Sequence, residues 1–191
     1  MLSKTIIHKK EFIIYKWLNS LFLGVSIGCI FTIYEPLEPS VYSLGGVILA
    51  VAMLIVARFY HKILNTYYFF RISLLVELVV LLMLISFLVF SYSYQIALLT
   101  YIGYQLTFIF GSYLVRAETL VLNDDITLTK VDTAKQIGYL VGMLISYLFY
   151  ESSEYFEILS DKQEQVYFIH FPLILIEILV IIFLTKAFSK S

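Results

Sequence analysis

Cysteine is almost absent from this 191-residue chain, in which Cys29 stands alone. A single thiol excludes a disulfide framework and any zinc site built on cysteines. Charge is scarce as well. Only 14% of the residues are Asp, Glu, Lys or Arg, against about 25% in an ordinary soluble domain. A formal net charge of −1 excludes a nucleic-acid partner for the chain as a whole. Catalytic signatures are missing: there is no H-E-x-x-H and no P-loop. An enzyme is therefore not expected, and neither a cofactor nor a metal ion is implied. What is abundant is apolar. The chain is 61% hydrophobic, its mean hydropathy is +0.90, and one 22 kDa core cannot bury such a surplus. A disordered chain needs the opposite composition. The solvent this sequence expects is a lipid bilayer.

The apolar residues collect in six stretches, near 17–34, 42–58, 72–91, 95–115, 133–150 and 166–185. About 20 apolar residues carry a helix across hydrocarbon. Lipid offers no partner to a free backbone N–H or C=O, so the stretches must be helices. Their continuous, non-alternating pattern argues against a β-barrel. The expected fold is all-α, a polytopic six-transmembrane-helix bundle over 17–185, with tails at 1–16 and 186–191. The first stretch is too long for a signal-peptide core and no small-residue cleavage site follows it, so it reads as a span. Trp17 sits at its edge, where an interfacial anchor belongs.

Basic residues orient this bundle. Lys4, Lys9, Lys10 and Lys16 precede the first stretch, and Arg58, Lys62 and Arg71 follow the second. Arg116, Lys130 and Lys135 follow the fourth, and Lys186 and Lys190 follow the sixth. Of the thirteen Lys and Arg residues, only Lys162 falls on the other side. The positive-inside rule then places both termini in the cytoplasm of a cell (inner or plasma) membrane. His8 and His61 lie on this basic side. The opposite loops are acidic, with Glu35, Glu38, Glu151, Glu154, Glu157, Asp161 and Glu164 as a solvated face.

Two carboxylates remain inside the apolar stretches. Glu77 is about 9 Å past Arg71 and Glu177 about 13 Å before Lys186, at a rise of about 1.5 Å per residue. A charge at the bilayer centre costs at least about 2.5–3.5 kcal/mol. Each glutamate therefore reads either as a coupling carboxylate on a proton or ion path, or as a protonated group hydrogen-bonded between helices. His170 lies seven residues before Glu177, on the same helical face. Pro172 between them frees the carbonyl of Phe168, and the pair reads as a candidate proton relay.

The fourth stretch carries a stripe of Tyr101, Gln105, Phe108, Ser112 and Arg116 at spacings of 4, 3, 4 and 4. Tyr101, Gln105, Ser112 and Arg116 are candidate solute-path residues; the alternative is interhelical hydrogen bonding. Asn19, Ser26 and Cys29 form a weaker face in the first stretch, and Tyr139, Met143, Ser146 and Tyr150 one in the fifth. Gly24-Val-Ser-Ile-Gly28 and Gly138-Tyr-Leu-Val-Gly142 are G-x-x-x-G motifs, which let helix backbones approach closely. They point to packing within the chain, with dimerisation as the alternative. The loop around 116–138 is charged. Asp132 reads there as the N-cap of the fifth helix. Asp124, Asp125, Lys130, Asp132 and Lys135 read as a cytoplasmic latch, paired with one another and with Arg71.

Six helices, both ends inside, a basic loop after the second and a longer charged loop after the fourth: over 12–186 this pattern resembles the N-terminal half of a major facilitator superfamily transporter. The Gly138/Gly142 pair falls where that family has a glycine-rich fifth helix, and the polar faces fall on helices one and four, which line the family's cavity. The family's loop-two motif, G-x-x-x-D-R-x-G-R-R, is met by Ala57-Arg-Phe-Tyr-His-Lys62-Ile-Leu-Asn65 only in the basic Lys62. Arg116 lacks the glycine of the fourth-helix Arg-x-x-x-Gly motif. In the family, helices three and six, here carrying Glu77 and Glu177, lie at the periphery. The resemblance implies transport of a small solute by alternating access, with a homodimer or a partner half completing the carrier. The alternative is a membrane scaffold or assembly subunit of a larger complex, without a transport cycle.

Overall fold

The computed structural model describes residues 5–90, 93–156, 159 and 161–190. Lys4, Ser91, Glu157 and Ser191 lie outside the described residues. Short polar signals set the helix ends. Helix α1 (Lys9–Tyr34) follows strand β1 (Thr5–Ile7). Helix α2 (Pro39–Arg58) begins with proline, whose missing N–H is harmless at a first-turn position. A single turn, α3 (Tyr60–Ile63), leads to α4 (Thr66–Phe90). Helix α5 (Tyr94–Ile109) is capped by Ser93, whose hydroxyl accepts from the Ile96 N–H at 3.3 Å. Helix α6 (Gly111–Leu122) ends on Asn123 in the left-handed conformation, φ 39°. Asp124 then caps α7 (Asp125–Tyr155), accepting from the Ile126 N–H at 3.2 Å. Asp161 caps α8 (Lys162–Ala187) in the same way. Strand β2 (Phe188–Lys190) closes the described chain.

The two strands pair antiparallel, Thr5 against Lys190 and Ile7 against Phe188. The sequence expects an all-α chain, and this ladder is an addition to it. It brings both described ends to one end of the bundle. There Phe188 packs its ring against Phe12, Phe69 and Phe70 at centroid distances of 6.0, 5.7 and 5.2 Å.

Among the described residues five helical segments are long and apolar enough to cross a membrane: α1, α2, α4, the α5–α6 pair and α8. The expected fifth span, 133–150, lies inside α7. With 31 residues α7 is the longest single helix among the described residues, yet it is not one of the five. Two further expectations are corrected. The fourth stretch is not one straight helix, because it breaks at Phe110 between α5 and α6. Asp132 is not an N-cap: α7 begins seven residues earlier, where the Asn123–Asp124 turn supplies both a left-handed stop and a capping carboxylate.

Helix α1 is the centre of the bundle. It packs on α7 and α8; α8 packs on α4, α4 on α5 and α6, and α2 on α5. The α1–α7 seam is built on glycine. A Cβ on Gly24 would collide with the Tyr139 carbonyl and the Gly142 Cα, and one on Gly138 with the Trp17 carbonyl. Gly142 lies against Leu21 and Gly24, and Tyr150 against Gly28. The matched order shows that α1 and α7 run the same way. One buried cluster fills the ladder end, with Phe12, Phe69, Tyr113, Val131, Val180 and Leu184. A second fills the far end, with Val25, Val80, Phe87, Val166, Ile169 and Leu173. Helix α2 buries none of its residues and exposes Leu44, Val47, Ile48, Val51, Leu54 and Ile55. A face that apolar is at home in lipid or against another protein.

The seam generates a test. Replacing Gly24 with leucine forces α1 and α7 apart, at an expected cost of about 1–3 kcal/mol, read as a lower midpoint of thermal unfolding in detergent. Gly46→Ala is the control, since nothing lies within 4 Å of its added carbon.

Candidate functional site

The polar interior is assembled around one face of α1. The Tyr15 hydroxyl donates to Glu77 Oε1 at 2.7 Å, and Asn19 Nδ2 donates to the same oxygen at 3.0 Å. Glu77 is 3% exposed. Glu177, on α8, is fully buried, and neither of its carboxylate oxygens has a hydrogen-bond partner among the described residues. It lies within electrostatic reach of Glu77 and of the Tyr15 hydroxyl. An acceptor buried without a donor is costly and calls for an explanation. On the analogy, helices three and six would carry both glutamates at the periphery; here both face inward.

Next to Tyr15, Lys16 points to the ladder end. Its ammonium pairs with Glu118 Oε2 at 2.7 Å and lies 5.1 Å from the Tyr15 ring centre. Glu118, 4% exposed, also pairs with Lys135. Lys135 in turn holds Asp132, one turn away on α7, at 3.1 Å. One buried carboxylate therefore ties α1, α6 and α7 together. Sequence reasoning missed both Lys16 and Glu118. The signal was positional: Glu118 falls among Tyr113, Ala117 and Leu122, the buried face of α6, and Lys16 lies between buried Tyr15 and Leu18. A charge on an apolar face needs an opposite charge on another helix.

The other expected residues are dispersed. His170 does not meet Glu177: its Nδ1 donates to the Val166 carbonyl at 2.6 Å and its ring stacks on Phe87 at 4.0 Å. The solute-path stripe divides at the Phe110 break. Tyr101 donates to the Tyr42 carbonyl at 3.2 Å and packs edge-on against Tyr34 and Tyr42, clamping α2 to α5. Gln105 is half-buried, with Oε1 unpartnered among the described residues. Ser112 and Arg116 are exposed on α6 beside an open groove that Gly111 and Thr119 also line. Between α1, α4, α5 and α8 a cavity of about 20 Å³, with Ser26, Thr100, Tyr104 and His170 in its wall, has room for one water.

The latch is rearranged. Asp124 pairs with Lys9 at 2.7 Å and accepts from the Thr127 hydroxyl. These two partners hold its carboxyl down at about 2. Asp125 and Lys130 are exposed on α7, and Arg71 donates to the Tyr67 hydroxyl at 2.6 Å instead of to an aspartate. The four glycines Gly24, Gly28, Gly138 and Gly142 all lie on the α1–α7 seam. Among the described residues no three His, Cys, Asp or Glu side chains gather as a metal-binding group. No protein-family model, curated protein or solved structure matches the chain.

Removing the shared anion is expected to be severe. Glu118→Gln strands the buried Lys16 ammonium, leaves Lys135 with Asp132 alone, and is expected to destabilise by about 3–5 kcal/mol, measured by denaturation in detergent. Lys9→Ala, which breaks an exposed pair, is expected to leave the midpoint almost unmoved at neutral pH. The Lys9–Asp124 contribution is present above the ordinary carboxylate range and is lost as pH falls toward about 2.

Proposed function

We propose that this chain is an integral membrane protein of six crossings, with both termini in the cytoplasm. We further propose that it serves as half of a small-solute transporter of the major facilitator type. The observation that carries this reading is Glu177: a carboxylate buried near the middle of an apolar helix, without a hydrogen-bond partner among the described residues, beside a second buried carboxylate. Such groups are costly in hydrocarbon and mark ion or proton pathways.

The packing pattern supports the half-transporter arrangement. Exchange the first three long helices (α1, α2, α4) with the last three (α5–α6, α7, α8). The α1–α7 contact maps onto α5–α2, and α1–α8 onto α5–α6 with α4. The α4–α8 and α1–α5 contacts map onto themselves. This pattern supports reading the two three-helix units as an inverted repeat, in which an odd number of crossings reverses the second unit. A sixth crossing by α7 is supported by its course alongside α1 and by its 31 residues, about 46 Å of helix against a hydrocarbon thickness of about 30 Å. It is also supported by the ladder, since paired ends at one side require an even number of crossings. The excess of basic residues at that side supports a cytoplasmic location. In this reading the solute path forms against a second six-helix unit, either another copy or a partner half, and Glu177 and Glu77 couple solute movement to protons.

A second reading, a scaffold or assembly subunit without a transport cycle, is favoured by the tightly filled interior, whose water-sized cavity is about 20 Å³. Uptake into vesicles separates the two. Glu177→Gln is expected to abolish accumulation of small solutes driven by an imposed pH gradient, with expression and thermal stability retained. Accumulation at the wild-type level in this variant removes Glu177 from the mechanism. A panel of solutes of which none accumulates, together with constant crosslinking of Val51→Cys on α2 to a different protein, establishes the scaffold.

A further inference from the structure

We propose, on the reading of this chain as a membrane-spanning protein, that the seam between α4 and α5 is a groove for one anionic phospholipid. An acyl chain lies along the seam and the headgroup phosphate rests on Arg71 at the ladder end. Two hollows lie end to end on the seam. One, of about 120 Å³, is bounded by Leu82, Ser86, Leu99 and Ile102. The next, of about 210 Å³, is bounded by Leu75, Thr107 and Phe110. Val79 and Leu106 line both, which makes them one groove. Its rims are open to the surroundings, since Leu75, Leu82, Ile102 and Leu106 are exposed. Its floor is Met83, which is buried, fills the space a side chain on Gly103 would take, and bounds the interior cavity on its other side. Ser86 and Thr107 carry the only hydroxyls in the walls, and Thr107 donates to the Tyr104 carbonyl at 2.8 Å.

The dimensions fit an acyl chain. Leu75 and Ser86 are eleven residues apart on α4, which is about 16 Å at a rise of about 1.5 Å per residue. The hydrocarbon of one leaflet is about 15 Å deep, half of about 30 Å. A second helix is a poor occupant. Close approach of helices needs small residues at the contact, and here the rims are leucine and isoleucine while Met83 already occupies the place beside Gly103. A thin, flexible chain follows such walls and restores the van der Waals contacts that an unfilled hollow forfeits.

The headgroup end is marked by charge. Leu75, Val79, Leu82 and Ser86 follow one another at spacings of 4, 3 and 4, and Arg71, four residues before Leu75, continues their face. It stands about 6 Å nearer the ladder end than Leu75 at the same rise. The guanidinium is drawn further toward that end by Tyr67, whose hydroxyl accepts from Arg71 Nη1 at 2.6 Å and whose ring centre lies 5.1 Å away. Tyr68, exposed beside them, suits the polar interface. A guanidinium has five N–H donors, and the bond to Tyr67 uses one. Among the described residues no carboxylate pairs with Arg71. The rest of the fork is free to take a phosphate bidentately. A cation without an acid beside it favours a headgroup of net negative charge over a zwitterion.

The test uses the full chain in phosphatidylcholine vesicles that contain a small fraction of phosphatidylglycerol with a diazirine midway along one acyl chain. Light converts the diazirine to a carbene that inserts into the nearest side chain, and peptide mass spectrometry locates the adducts. Adducts on Val79, Ile102 and Leu106 are expected to exceed severalfold those on the exposed face of α2, and those left in the groove by phosphatidylcholine with the same diazirine. Arg71→Gln is expected to lower the groove adducts about fivefold, the effect of one basic residue on an anionic lipid. Lys10→Gln, which removes an exposed cation from α1 at the same end, is expected to leave them unchanged. Val79→Phe fills the junction of the two hollows and is expected to remove the groove adducts with the unfolding midpoint retained; should it unfold, Leu106→Phe fills the same junction from α5. Groove adducts no more frequent than those on α2, equal labelling by the two lipids, or labelling undiminished in Arg71→Gln overturns the lipid site, while the adducts on α2 keep the membrane reading. A chain with no adducts anywhere overturns both.

Discussion

Gly24, Gly138 and Gly142 let the backbones of α1 and α7 touch, and α1 reaches the middle of the bundle on that condition. From there it serves four neighbours at once. Tyr15 and Asn19 meet Glu77 on α4, Lys16 meets Glu118 on α6, and the apolar residues fill the spaces against α7 and α8. A larger residue at the seam would withdraw α1 by the width of a side chain. Glu77 and Glu118 would then lose their partners together. In hydrocarbon, where water cannot substitute, such losses fall at full cost.

The interior carboxylates differ in how they are compensated. Glu118 sits between two ammoniums, Glu77 takes two neutral donors, and Glu177 has no hydrogen-bond partner among the described residues. The supply of positive charge falls with distance from the ladder end. The bundle is thus most strongly crosslinked by charge where its basic residues gather. It is held at the far end by shape, through stacked and edge-on rings such as Phe87 on His170 and Tyr101 between Tyr34 and Tyr42.

Much of this was legible in the sequence, and the failures share a cause. Span positions are one-dimensional: a run of apolar residues bounded by turns announces itself, and α2, α4 and α8 lie where the runs place them. The glycine motifs are legible for the same reason, since close approach of backbones has few other solutions. Partner choice is three-dimensional. The sequence groups Asp124 with Lys130 and Lys135, but the Asn123 turn carries it to Lys9 at the start of α1. Tyr101 and Arg116 share a face only on an unbroken helix, and no proline marks the break at Phe110. His170 and Glu177 do share a face, but the local Val166 carbonyl claims the imidazole first. Lys16 enters the sequence reading only as one of the orienting basic residues and Glu118 not at all; the packing alone places each opposite the other.

The β1–β2 ladder pairs Thr5 with Lys190, the first described residue with the last. A ribosome makes β1 before, and β2 after, all the described helices. The ladder, and the aromatic plug that Phe188 drives among Phe12, Phe69 and Phe70, can therefore close only after α8 has emerged. Loop closure over so long a separation is the slowest kind of contact to form. Until β2 is made, β1 is without the strand it pairs with in the fold.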